Sequence, residues 1–166
     1  MQTYHLFISH SWNYSDAHDR LVKLLTAHPT FTFKNFSVPP HNPIVGAQTD
    51  KQLELAIENK IRPCSAVLIM AGMYSAYSKW INKEIEIAKR MGKVIIAIKP
   101  FGAERISTVV RDAAHAECAW NTNSITATRM QLSTPYVAAD GTIRVALNYR
   151  AESFTAYGFG RRGIDA

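Results

Sequence analysis

Two apolar runs without alternation, Cys64 to Ala71, broken only by Ser65, and Val94 to Ile98, constrain this chain more than any other feature. A strand with one wet face alternates apolar and polar residues, whereas a run without alternation belongs to a strand covered on both faces, as in parallel sheets flanked by helices. Between the runs, Ser78 to Gly92 carries apolar residues at helical spacing, with Ser78 as a cap and Gly92 as a stop. The same pattern runs through the preceding residues. Tyr4 to Ile8 is a short apolar strand, followed by Ser9, His10 and Ser11 in a turn and by a helix through Ala17, Leu21, Leu24 and Leu25 that stops before Pro29. Phe33 to Phe36 reads as a second strand. After a Pro-rich loop, Thr49 and Gln52 form a capping box for a helix that buries Leu53, Ala56, Ile57 and Ile61. Residues 103 to 116 supply another helical period through Ile106, Val110 and Ala113, and Ala119 with Trp120 closes the sheet as a short last strand. This order predicts a doubly wound parallel α/β sheet, whose ligands bind beyond the carboxyl ends of the strands.

Within that frame one residue is out of place. At about 100° per residue, Trp80, Ile81, Ile85, Ile87, Ala88 and Met91 share one arc of the helix before Gly92, and Glu84 falls inside it. Asn82, Lys83, Glu86, Lys89 and Arg90 take the opposite side, so Glu86 is a solvated carboxylate on the same helix and an internal control. Burying a carboxylate costs several kcal/mol unless it is paired or put to use. The structural alternative is a Glu at the edge of the face that reaches a Lys or a backbone amide.

Composition sets broader bounds. The chain has 166 residues, 47% of them hydrophobic, enough for one domain with a proper core. No apolar run approaches the roughly 20 residues of a membrane span, and no basic region or cleavage site precedes the first strand, so a cytoplasmic protein without a membrane partner is expected. Cys64 and Cys118 are isolated and read as reduced thiols; with His5, His18, His28, His41 and His115 at no mutual spacing, no metal is expected. The net charge of +6 is dispersed, without a basic run interleaved with aromatics, which argues against nucleic acid and suits an anionic nucleotide.

The character changes after Asn121. Every Lys lies before position 100, whereas Arg continues to position 162, which suggests a segment of different history. Tyr136 to Tyr149 places Asp140-Gly141 between alternating apolar stretches, a hairpin signature. Residues 1–124 are therefore expected to form the domain, and 125–166 an atypical, partly flexible C-terminal extension. Ile125 to Leu132, rich in Thr and ending before Pro135, reads as a weak helix.

Two stretches carry a family resemblance. Tyr4-His5-Leu6-Phe7-Ile8-Ser9-His10-Ser11-Trp12-Asn13-Tyr14-Ser15-Asp16 resembles the first signature box of TIR domains, and Tyr74-Ser75-Ala76-Tyr77-Ser78-Lys79-Trp80-Ile81-Asn82-Lys83-Glu84-Ile85 resembles their Tyr, Ser, then Trp-x-x-x-Glu-aliphatic pattern. Residues 1 to 120 are similar to bacterial TIR-like proteins related to the signal-producing component of Thoeris antiphage systems; the tail from about Ile125 is not covered. Ile81 stands where a Cys is usual, and Ser37 to Pro43 replaces the usual loop, departures that favour the bacterial branch over receptor adaptors.

The resemblance implies a TIR-like, flavodoxin-like fold and glutamate-dependent attack on NAD, which is substrate and not cofactor. The chemistry suits Glu84. Cleavage of the bond between nicotinamide and ribose passes through an oxocarbenium-like state that a carboxylate stabilises, and nicotinamide leaves neutral, so no general acid is needed. Capture by water gives ADP-ribose; capture by a group on the same molecule gives a cyclic messenger. The remaining candidates are substrate-binding: Phe7, Ser9, His10, Ser11 and Trp12 around the end of the first strand, Ser37 before the Pro-rich loop, and Tyr74, Ser75 and Trp80 leading into the Glu84 helix. For His10 the alternative is an exposed turn residue, for Trp12 a cover over the following helix, for Tyr74 and Ser75 a capping turn, and for Trp80 a core wall. Val38 to Ile44 is the candidate lid. Implied partners are other TIR domains, by self-association, and an effector reached through a diffusible nucleotide. The competing readings are a non-catalytic TIR interaction module and a nucleoside deoxyribosyltransferase-like enzyme. A phospho-receiver fails, because the third strand ends Met70-Ala71-Gly72 without an Asp.

Overall fold

A computed structural model describes residues 3–9, 15–38, 49–71, 78–99, 106–132, 136–137 and 143–144. Five strands, β1 (Thr3–Ser9), β2 (Thr32–Asn35), β3 (Ala66–Met70), β4 (Val94–Lys99) and β5 (Ala116–Ala119), form a sheet in the order β2-β1-β3-β4-β5. All neighbours are parallel, with Leu6 opposite Ala66 and Ala66 opposite Val94. Five helices connect and flank them: α1 (Ser15–Thr26), α2 (Asp50–Ile61), α3 (Ser78–Arg90), α4 (Thr108–Ala113) and α5 (Thr122–Gln131). The two apolar runs are the central strands β3 and β4, every residue of which is buried except Lys99, as continuous hydrophobicity requires.

Side chains alternate between two cores. Leu6, Ile8, Leu68 and Ile96 pack with Leu21 and Leu25 of α1 and Ile125 of α5. Phe7, Val67, Ile69 and Ile95 pack on the other face with Ile57 and Ile61 of α2, Ile85 and Ile87 of α3, and Val110 of α4. The capping box is present: the Gln52 amide donates to Thr49 Oγ1 and the Thr49 amide to Gln52 Oε1, both at 3.2 Å. Past α3, Gly92 takes φ +62 while its amide bonds Lys89 O and that of Lys93 bonds Ala88 O, the paired closure that a left-handed residue permits. A Cβ at Gly92 would meet nothing within 4 Å. Gly92→Ala is therefore expected to cost roughly 1 kcal/mol in urea unfolding, from backbone strain alone.

Three elements depart from the sequence expectation. The helical period over 103 to 116 contracts to Thr108–Ala113: Ala114 is extended, the His115 amide bonds Ile95 O, and Ala116 already pairs with Ile96. The last strand accordingly begins at Ala116, and Trp120 lies beyond it. Ala116-Glu117-Cys118-Ala119 has no β-branched or aromatic residue, so its strand character comes from pairing with β4. The expected weak helix is the well-formed α5, which starts at Thr122 with the Asn121 side chain accepting from the Ser124 amide at 2.8 Å. Tertiary packing overrides the Thr propensity: Ile125, Thr126, Thr128 and Arg129 are buried, and both Thr hydroxyls bond carbonyls one turn back. The boundary expected between 124 and 125 falls inside this helix. Strands β6 (Tyr136–Val137) and β7 (Ile143–Arg144) pair antiparallel as a hairpin would, with Asp140-Gly141 outside the described residues. Among the described residues, no helix is long and apolar enough to cross a membrane.

Candidate active site

The chain leaves β1 for β2 on one side and enters β3 on the other, so the order β2-β1-β3 puts the topological switch between β1 and β3, where doubly wound sheets bind ligands. Ser9 is the last residue of β1, level with Ile69 of β3. Across the α2-side core lies α3, held inside by Ile81, Ile85, Ile87 and Ala88. Outside, three ion pairs join it to α2: Lys79 to Asp50 at 2.5 Å, Lys83 to Glu54 at 3.4 Å and Arg90 to Glu58 at 2.8 Å. Glu84 projects inward with only 8% of its surface exposed, and Ser9 Oγ donates a hydrogen bond to its Oε2. Among the described residues no cation lies within ion-pair distance of Glu84. Burial drives its carboxyl up to about 7, against the smaller lowering effect of the Ser9 hydroxyl. Glu86, two residues on, is exposed and paired with Lys83 at 3.3 Å. The edge-of-face alternative for Glu84 therefore does not describe it.

The other candidates divide. Phe7 is 1% exposed in the α2-side core, two residues before Ser9 and on the same face of β1. Ser37 is buried with its hydroxyl committed: Oγ accepts from the Ile8 amide at 2.7 Å and donates to Asn35 Oδ1 at 2.5 Å. It continues the β1 ladder where β2 has ended. Asn35 itself escaped the sequence reading, although Asn-x-Ser after a short strand is the pattern of a side chain capping the backbone two residues on, here Ser37 N at 2.9 Å. Trp80 is half-buried against the α2-side core, with Lys79 Nζ 5.3 Å from its ring centroid, and walls a cavity of about 340 Å³ with Asp50, Glu54 and Lys83. A larger concavity of about 750 Å³, between α1 and the start of α5, includes Arg20, Lys23 and Trp120. Neither contains Ser9 or Glu84. His10, Ser11, Trp12, Tyr74 and Ser75 lie outside the described residues, as does the candidate lid beyond Val38.

Nothing else among the described residues offers comparable chemistry. Among the described residues, no group of three or more His, Cys, Asp or Glu could hold a metal ion. Burial pushes the thiols of Cys64 and Cys118 up to about 12, far from thiolate. His115 accepts from the Ile95 amide at 2.9 Å, and burial keeps it neutral. Glu117 is buried too, but Lys99 and Arg111 flank it at 3.6 and 3.5 Å.

A five-stranded all-parallel sheet with flanking helices defines a doubly wound α/β domain of the TIR-like class. Residues 7–105, more than half of the chain, match the family described as the Thoeris protein ThsB, TIR-like domain, and the chain belongs to that family, with its TIR-type interactions and TIR-family role in defence. No curated protein matches the sequence. Among solved structures the chain is similar to a 2-deoxyribosyltransferase from Bacillus psychrosaccharolyticus, at 14% identity and a TM-score of 0.42 over 68% of this chain and 84% of that one. At that level the likeness says nothing about chemistry.

Proposed function

We propose that this TIR-like domain cleaves the nicotinamide-ribose bond of NAD, with Glu84 as the acting carboxylate, and releases ADP-ribose or a cyclic ADP-ribose-type signal in antiphage defence. The observation that carries this reading is a buried carboxylate at the switch point of the sheet with no counter-cation among the described residues. A structural role would select a pair or an apolar residue there, because an unpaired buried charge destabilises the domain. The missing positive charge is one that the reaction supplies. As the ribose C1′–N bond breaks, its electron pair moves to the pyridinium nitrogen, nicotinamide departs neutral, and the ribose ring acquires oxocarbenium character that an adjacent carboxylate stabilises. Water adding to C1′ and losing a proton completes hydrolysis; a nucleophilic group of the same molecule adding to C1′ and losing its proton completes cyclisation.

The charge on Glu84 fixes the sign of the pH dependence. Only the ionised form stabilises a cation, so nicotinamide release is expected to rise with pH through an apparent pKa near 7 and to level above it. Incubation with NAD from pH 5.5 to 8.5, followed by mass spectrometry of the products, tests both the reaction and its direction. A second reading rests on the same ionisation: with its carboxyl raised to about 7, Glu84 keeps a proton into the neutral range and can donate it to a neutral leaving base, as deoxyribosyl transfer requires. That activity would fall with rising pH and act on deoxynucleosides. Turnover of neither class in the full chain would leave the non-catalytic interaction module.

A further inference from the structure

We propose that Ser9 is the positioning residue of this site: its hydroxyl proton is committed to Glu84, where it fixes the orientation and the charge state of the carboxylate and does not serve the ligand as a donor. The assignment rests on the Glu84 reading above and changes the role expected of Ser9, that of a direct substrate contact. A serine hydroxyl has one proton, and here it points to Glu84 Oε2. Ser9 is 2% exposed, and its backbone is fixed in the β1–β3 ladder opposite Ile69, so its side chain has little freedom to turn elsewhere.

Among the described residues, no other group near Glu84 does this work. On α2, Asp50, Glu54 and Glu58 pair with Lys79, Lys83 and Arg90, and Lys51 and Lys60 are exposed. Lys99 of β4 and Arg111 of α4 pair with Glu117, and Asp112 is exposed. His5 of β1 bonds Pro63 O, and β3 contributes only apolar side chains. On α3 itself Glu86 and Lys89 face solvent. Desolvation pushes the carboxyl up and the Ser9 proton pulls it down, so removing that proton leaves desolvation unopposed.

The test is a direct titration of the full chain, with glutamate side-chain carboxyls carbon-13 labelled and the Glu84 signal assigned by its loss in Glu84→Gln. Ser9→Ala is expected to raise the Glu84 midpoint by a unit or more, a tenfold change in the ratio of protonated to ionised forms. Ser9→Thr, which keeps the hydroxyl, should stay within half a unit of wild type. Ser9→Cys, a weaker donor, should move in the same direction as Ala and carries the test if Ser9→Ala fails to fold by circular dichroism. An unchanged midpoint in the folded Ala or Cys variant overturns the proposal. In the NAD assay, nicotinamide release by Ser9→Ala should be depressed at pH 7 and recover near pH 9, whereas a merely structural defect would depress it at every pH. If Glu84 titrates as expected in all variants while wild type releases no nicotinamide, the NAD reading fails and the positioning assignment stands.

Discussion

Glu84→Gln is expected to lower nicotinamide release at least a hundredfold while leaving the circular dichroism spectrum unchanged, because the amide keeps the shape of the side chain and removes its charge. A loss of that size corresponds to about 3 kcal/mol of transition-state stabilisation, within the range of one preorganised electrostatic group. Stability should move in the opposite direction. Glu84 carries a carboxyl raised from 4.5 to about 7, so the folded state holds its proton over a range in which the unfolded chain has lost it. That contribution is complete below pH 4.5 and disappears as pH rises through 7. Urea unfolding of wild type should therefore weaken between pH 5 and pH 8 relative to the Gln variant, by up to about 3 kcal/mol. Glu86→Gln, on the exposed side of α3, should change neither activity nor this slope appreciably. Equal nicotinamide release by wild type and Glu84→Gln would sink the enzymatic reading, and parallel stability profiles would show that Glu84 is solvated in solution.

A chain ending at Leu132 is expected to fold, and one ending at Trp120 to be poorly soluble. The second truncation removes α5 and with it Ile125 and Leu132, at 0 and 2% exposure, from the core that Leu21, Leu25 and Ile96 share. Arg129 goes too; its guanidinium bonds Leu132 O at 2.8 Å and Ser65 Oγ at 2.7 Å and lies 4.8 Å from the Tyr4 ring centre. Uncovering that face costs several kcal/mol at about 25 cal/mol per Å² of apolar surface, comparable with the whole stability of a small domain. Gel filtration and circular dichroism distinguish the two chains. A soluble, native-like chain ending at Trp120 would show that α5 is dispensable. A folded chain ending at Leu132 without NAD cleavage would show that the hairpin segment contributes to the site.

What was legible in the sequence follows from the range of each signal. The central strands, the capping box at Thr49 and the stop at Gly92 are local patterns with one physical meaning each, and they appear where the residues place them. Glu84 was readable because a helix converts sequence spacing into direction, so one polar residue on an apolar arc stands out against Glu86. Ser9 was readable as a residue at the strand end, but its bond to Glu84 was not, since nothing along the chain ties it to a residue 75 positions away. The short fourth helix, the early start of β5 and the firmness of α5 were hidden for a related reason. Ala-rich and Thr-rich segments have weak preferences of their own, and the sheet decides them through contacts that close only in the folded chain.

The ladder between α2 and α3 has a consequence for precision. Its rungs recur four residues apart on α2 and meet α3 at 79, 83 and 90, each spacing a whole number of turns to within part of a residue. Like the marks of a vernier, they coincide at one setting. A slip of α3 by one residue would turn it through about 100° and present Lys83 or Ile85 to Ser9 in place of Glu84, and the same slip in either direction would break the rungs at Lys79 and Lys83. An error of indexing at the buried face is thus penalised at the exposed face, where surface charges that contribute little to stability still reject the wrong alignment.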